Sequence, residues 1–101
     1  MTNCSVYIIY STSGHYKIGI SGQPRKRLKE LQRTQGPYKY SLEFYWVCNS
    51  RDEASFIEKY LHRAFRKQRV NGEWFELSPG DLIGIGNDAI DMARTAYEAS
   101  Y

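Results

Sequence analysis

The sequence predicts an α+β fold: a small, mostly antiparallel three-stranded sheet flanked by helices. Three observations carry this. Two short runs rich in β-branched and aromatic residues, 6–10 and 16–20, are separated by turn residues, the pattern of a hairpin. A third alternating run lies at 41–48. Between and after these runs, apolar residues recur at helical rather than strand spacing.

In order, Val6-Tyr7-Ile8-Ile9-Tyr10 is the first strand and Ser11-Thr12-Ser13-Gly14 supplies the turn. Tyr16-Lys17-Ile18-Gly19-Ile20 is the second strand. Gly19 leaves bare backbone that another group can approach closely. Period-two alternation puts Tyr7 and Ile9 on one face, and Lys17 and Gly19 on one face of the partner strand. A hairpin closing at Ser11–Gly14 brings Tyr7 near Lys17. Ser21-Gly22-Gln23-Pro24 starts a helix with Leu28 and Leu31 on its buried side, and Gly36-Pro37 ends it. Arg27, at the edge of that stripe, is expected to point toward the sheet. Leu42, Phe44 and Trp46 share one face of the third strand; Glu43 and Tyr45 share the other.

Ser50-Arg51-Asp52-Glu53 fits a capping box. Ala54, Ile57, Leu61, Ala64 and Phe65 follow as the stripe of a second helix. Gln68 to Gly72 reads as a turn, and Glu73 to Leu77 alternates weakly around Trp74 and Phe75. Ser78-Pro79-Gly80-Asp81 starts a last helix, roughly 81–99, with Leu82, Ile85, Ala89, Ala93 and Ala96 on one side. Gly84, Gly86 and Asn87 weaken its first half, which favours two short helices. The expected organisation is a single domain over 1–101, with 79–101 a C-terminal helical extension.

The chain is long enough for one modest core, and no apolar run is long enough to span a membrane. The N-terminus lacks signal-peptide character, so a cytoplasmic location in a bacterial host is expected, with a phage origin open. Cys4 and Cys48 lack metal-site spacing and read as idle thiols rather than a bridge. Residues 1–80 carry 13 Lys/Arg against 7 Asp/Glu; residues 81–101 carry one against four. The cations cluster at Arg25, Lys26, Arg27, Lys29 and Arg33, and again at Arg63, Arg66, Lys67 and Arg69. Such clusters suit a polyanion, most often nucleic acid, although a solvated helix surface has the same pattern.

Glu58 and His62 are four apart and lie on one helix face beside the apolar stripe. Spacing alone favours an ordinary exposed pair. Taken singly, Tyr7 reads equally as a sheet aromatic, Lys17 as a surface strand residue and Arg27 as part of an electrostatic face. His15 reads as a turn residue without a role.

VYI at 6–8 and KIG at 17–19, followed by PRKRLKELQ at 24–32, FIEKYLHRAF at 56–65 and RVNGEWFEL at 69–77, resemble the ordered motifs of the GIY-YIG nuclease superfamily. With KIG in place of YIG, the set is similar to its small phage and meiotically-up-regulated-gene branch. The resemblance covers about residues 5–78. It implies a metal-dependent endonuclease that hydrolyses DNA phosphodiester bonds with one Mg²⁺ or Mn²⁺ ion. It assigns Tyr7 to the attacking water, Lys17 to its support, Arg27 to the scissile phosphate and Glu58 to the metal. His62 and Asn71 match further polar positions near the cleft, and Glu73 is carried by the branch motif without a clear role.

The chemistry needs phosphoryl charge stabilised and a water activated. No second carboxylate stands at a convincing spacing, which argues for one ion held by Glu58. A phenol is a poor base at neutral pH unless shifted, and Lys17 is expected to lower the pKa of Tyr7. The competing function is a non-cleaving DNA-binding module on the same scaffold, a phage regulatory or anti-host factor. A second copy of the chain stays open as a partner.

Overall fold

The computed structural model describes residues 3–100. Their class is α+β, as expected, but the sheet has five strands rather than three, in the order β3-β1-β2-β5-β4. β1 spans Cys4–Ser11, β2 Tyr16–Ser21, β3 Tyr40–Cys48, β4 Arg69–Asn71 and β5 Trp74–Phe75. α1 is Pro24–Thr34 and α2 Arg51–Ala64; α3, Pro79–Gly84, runs through a π turn at Ile85–Ala89 into α4, Ile90–Ala99.

All pairings are antiparallel. The β1–β2 turn is closed by Ser11 N–H donating to the His15 carbonyl at 2.9 Å and Gly14 N–H to the Ser11 carbonyl at 2.9 Å. Gly14 sits at φ +94°, a conformation a side chain would strain. The register sets Tyr7 opposite Gly19 and Ile9 opposite Lys17, so all four share one face.

β3 departs from the expected alternation. A bulge between Ile8 and Ile9 leaves Phe44 opposite Ile8 but Leu42 opposite Ile9. Leu42 therefore joins the Tyr7 face, and Trp46, opposite Val6, packs on the other side.

The two sheet faces carry separate cores. Tyr7, Ile9 and Leu31 form one, with Leu28, Tyr40 and Leu42 at its edge, under α1. Val6, Ile8, Ile18, Ile57, Leu61, Phe75 and Ile85 are fully buried in the other, under α2 and the C-terminal helices. Burying side chains of this size contributes about 1.5–3 kcal/mol each, before conformational entropy is set against it. Ile85, Ile90 and Ala93 belong to this larger core. The π turn adds the residue that moves the stripe from Ile85 to Ile90 and Ala93, a phase a uniform helix lacks. Arg94 donates to the Val47 carbonyl at 2.8 Å, tying α4 to β3.

The helix starts follow local chemistry. Pro24 opens α1, and Ser50 Oγ accepts from Glu53 N–H at 3.1 Å to cap α2. The Glu53 carboxylate reaches back one residue further than a capping box requires, accepting from Asn49 N–H at 2.8 Å. At α3, Ser78 and Asp81 form the full capping box.

Gly19 is needed for space. A Cβ there would lie 2.6 Å from the Tyr7 hydroxyl oxygen and 2.7 Å from its ring carbon. Tyr7 is 1% exposed, so its ring has no room to retreat. Gly19→Ala is therefore expected to destabilise the fold by about 1–3 kcal/mol, the usual cost of overpacking. The same substitution in a Tyr7→Ala background should cost much less. Urea denaturation of the four proteins measures the coupling, and equal costs in both backgrounds would show that the ring does not occupy this space.

Candidate active site

β5 is only two residues long, and this creates the site. It pairs Trp74 with Lys17 and Phe75 with Tyr16, and the ladder ends there. In the preceding turn, the Glu73 carbonyl accepts from Ile18 N–H at 3.0 Å. The Ile18 carbonyl meets His62 Nε2 of α2 at 2.9 Å. A carbonyl only accepts, so Nε2 donates its N–H, and Nδ1 is the ring nitrogen not used in this bond. The Phe75 ring packs against the imidazole in an edge-to-face arrangement, with centroids 4.9 Å apart.

Glu58, one turn before His62, lies in the same place. Ligand atoms of Glu58, His62 and Glu73 all fall within 4.8 Å of one another. The expectation of Glu58 as sole metal ligand, with no second carboxylate, is thereby corrected: the β4–β5 turn brings Glu73 in from a distant part of the chain. Glu58 Oε2 is buried and has no hydrogen-bond partner among the described residues. Burial first, and then the neighbouring Glu73 carboxylate, push the Glu58 pKa up to about 7. An unsatisfied buried oxygen, a second carboxylate and an imidazole held by a backbone carbonyl are a donor set that fits a divalent cation.

Lys17 is not placed as expected. Its Nζ bonds Glu73 Oε1 at 2.8 Å and lies 5.7 Å from the centre of the Trp74 ring. Burial works to raise the Glu73 pKa, but the Lys17 ammonium outweighs it and holds the carboxylate below its usual value. Lys17 therefore serves Glu73 rather than Tyr7. The Tyr7 phenol is shifted upward, by burial foremost; a hydrogen bond from Arg27 acts in the opposite direction, and Glu73 and Glu58 add to the rise. The expected lowering by Lys17 is absent. Arg27 reaches the Tyr7 hydroxyl from α1 and also lies 3.7 Å from Glu30.

Opposite Trp74 on β4, Asn71 lines a groove with Trp74, Tyr40 and His15. The two cationic clusters sit on elements that cover opposite sheet faces, not on one helix surface. Arg25, Lys26, Lys29 and Arg33 are exposed on α1; Arg63 is exposed on α2, with Arg66, Lys67 and Arg69 just beyond it. Arg69 donates to the Gly72 carbonyl at 2.6 Å and Arg66 to the Arg63 carbonyl at 3.1 Å. Cys4 and Cys48 are free, buried and directly opposite each other across β1 and β3. No described helix is long and apolar enough to cross a membrane.

The fold and the cluster define an α+β domain with a three-residue group able to hold a metal ion, on a chain with two basic clusters. The family model of the T5orf172 domain matches residues 5–90, and the chain belongs to that family. This corrects the GIY-YIG assignment expected from the VYI and KIG half-motifs, for which the comparison gives no support. Each half-motif is only three residues long, and a hairpin that packs an aromatic over a glycine accounts for both. Membership is compatible with a function on DNA. No curated protein and no solved structure matches the chain.

The raised Glu58 pKa fixes how metal binding should depend on pH. A carboxyl whose pKa is raised to about 7 holds its proton below that pH, and a cation must displace it. Apparent Mn²⁺ affinity, measured by calorimetry, is expected to rise up to about tenfold per pH unit between 5 and 7 and to flatten above. Glu58→Gln should weaken binding and make the slope shallower. A flat profile in the unmodified protein would exclude Glu58 as a ligand.

Proposed function

We propose that this domain is a metal-dependent endonuclease that hydrolyses DNA phosphodiester bonds, with one Mg²⁺ or Mn²⁺ ion held by Glu58, His62 and Glu73. The observation that supports it most is the buried, unpartnered Glu58 Oε2 facing a second carboxylate beside a Tyr–Arg pair. The nearby protein cations do not offset the two carboxylates fully: Lys17 pairs directly with Glu73, and Lys17 and Lys59 only partly counter the rise at Glu58. The bound ion supplies Lewis-acid stabilisation of charge on the phosphoryl oxygens.

The remaining roles follow from the side chains. Arg27 offers a planar pair of donors to the phosphate, which lysine does not reproduce. Tyr7, its pKa raised, keeps its proton at neutral pH and acts as a fixed donor toward the reacting phosphate rather than as a base. Lys17 holds Glu73 ionised and oriented. The exposed cations of α1, and those at and beyond the end of α2, Arg25, Lys26, Lys29, Arg33, Arg63, Arg66, Lys67 and Arg69, contribute salt-dependent contacts to the DNA backbone.

Supercoiled plasmid incubated with the protein tests the reading directly. Nicked or linear product is expected with Mg²⁺ or Mn²⁺ and not with EDTA. Glu58→Gln should abolish cleavage while retaining fold and DNA binding; equal cleavage by this variant would falsify the proposed metal site. Binding without cleavage under every metal condition would instead identify a non-cleaving DNA-binding module.

Tyr7→Phe separates donor from base. Loss of one donor to the transition state is expected to lower the rate by about 10²–10³-fold. The shape of the pH–rate profile below pH 9 should stay as in the unmodified protein. Disappearance of a basic limb in the variant would restore Tyr7 as the base.

A further inference from the structure

A groove of about 380 Å³ opens beside β4 and β5, lined by Trp74, Tyr40, Tyr38, His15, Gln35 and Asn71 among others. We propose that it takes one unstacked nucleobase of the DNA strand, next to the phosphate bound at the candidate active site. The proposal rests on the nuclease reading above and adds a substrate class to it: DNA with an unpaired base.

The chemistry of the walls points to a base. Trp74 and Tyr40 stand with ring centres 5.9 Å apart and planes inclined by 46°, a corner of two aromatic surfaces. Tyr40 is fixed there. Its hydroxyl donates to the Gln35 carbonyl at 2.7 Å, and its N–H donates to Gln32 Oε1 at 2.9 Å. Its polar end is thus used within the protein, and its ring is left for contact. No lysine, arginine or carboxylate lines the groove, so its ligand is neutral and flat rather than a phosphate. Among the described residues no hydrogen bond engages the side chains of His15, Gln35 or Asn71. Asn71 and Gln35 each offer a donor beside an acceptor, the pair that matches a base edge.

Position supplies the second argument. Lys17 lies over the Trp74 ring and also bonds Glu73, so one side chain links the groove wall to the metal-capable group. A base in a regular duplex is stacked on both faces and does not reach such a wall. An unpaired base does, and aromatic stacking then favours it whatever its identity.

Binding of labelled DNA, measured by fluorescence anisotropy in EDTA, tests this without cleavage. Three probes are compared: a fully paired duplex, the same duplex with one bulged nucleotide, and the bulge with an abasic residue in its place. The bulged base is expected to bind roughly fivefold to 150-fold tighter than either other probe, the range that base–aromatic stacking supports. Trp74→Leu should bring the three together, and Asn71→Ala should narrow the difference. If Trp74→Leu fails to fold by circular dichroism, Asn71→Ala and Tyr38→Ala, both at exposed positions, carry the comparison. Equal binding of the bulged and abasic probes, or an equal loss on all three in the variants, would overturn the proposal. Because the readout is metal-free, base discrimination without plasmid cleavage would sink the nuclease reading alone. Cleavage without base discrimination would sink the groove alone.

Discussion

The backbone of Ile18 holds the candidate site together. Its N–H takes the Glu73 carbonyl and its carbonyl takes His62 Nε2, at 3.0 and 2.9 Å. In a longer β5 both groups would be absorbed by the ladder, because an antiparallel residue directs its N–H and C=O to the same neighbour. Ending the strand after two residues frees the carbonyl for a side chain from α2. A buried peptide group left without a partner is costly, so the imidazole is fixed in position and tautomer by the need to satisfy that carbonyl. The site is thus attached to the most buried part of the hairpin rather than to a loop.

Charge explains the division of labour between the two carboxylates. Both are partly withdrawn from water; Glu73 raises the cost of ionising Glu58, whereas a hydrogen bond from Glu58 favours the ionised form of Glu73. Lys17 settles the matter for Glu73, which stays ionised, and leaves Glu58 with its pKa near neutrality. The same ammonium cannot also serve Tyr7 at full strength. The Tyr7 ring lies over Gly19, deep enough that burial governs its titration. A protonated phenol hydrogen-bonded to a guanidinium has donors to offer a phosphate and little capacity to accept a proton. The geometry that gives Tyr7 its fixed position is therefore the geometry that disqualifies it as a base.

Much of this was legible in the sequence where interactions are local or periodic. The hairpin was readable from its turn residues and alternation, and Gly19 from its place in a strand. The starts of the helices followed from Pro24, Ser50 and Ser78. Glu58 and His62 were placed on one face by helical spacing alone. What was illegible depends on partners far apart in the chain or on irregularities one residue long. β4 lies in a stretch that reads as a turn and β5 in one whose alternation is weak, so neither stands out as a strand at two or three residues. The bulge that moves Leu42 to the Tyr7 face, and the π turn that shifts the last stripe, each add one residue that no local pattern announces. Glu73 is 15 positions from Glu58 and 56 from Lys17, so its carboxylate is tied to both by topology rather than spacing. His15 reads as a turn residue because its groove is assembled from three separate segments of the chain, 11–15, 35–40 and 70–74.

Three consecutive residues show how economically the short fifth strand is used. Glu73, in the turn, delivers a carboxylate to the candidate metal group. Trp74 shares the sheet face of Lys17 and forms the groove wall. Phe75 points to the opposite face, is fully buried in the larger core and packs against the His62 ring. Since successive strand side chains alternate faces, a slip of one residue in the β2–β5 register would send Phe75 to the groove and Trp74 into the core. Phe75, at the centre of a close-packed core, resists that exchange most strongly. The hydrophobic anchor therefore fixes where the carboxylate and the indole stand, and the chemistry of this edge of the sheet is set by a residue that takes no part in it.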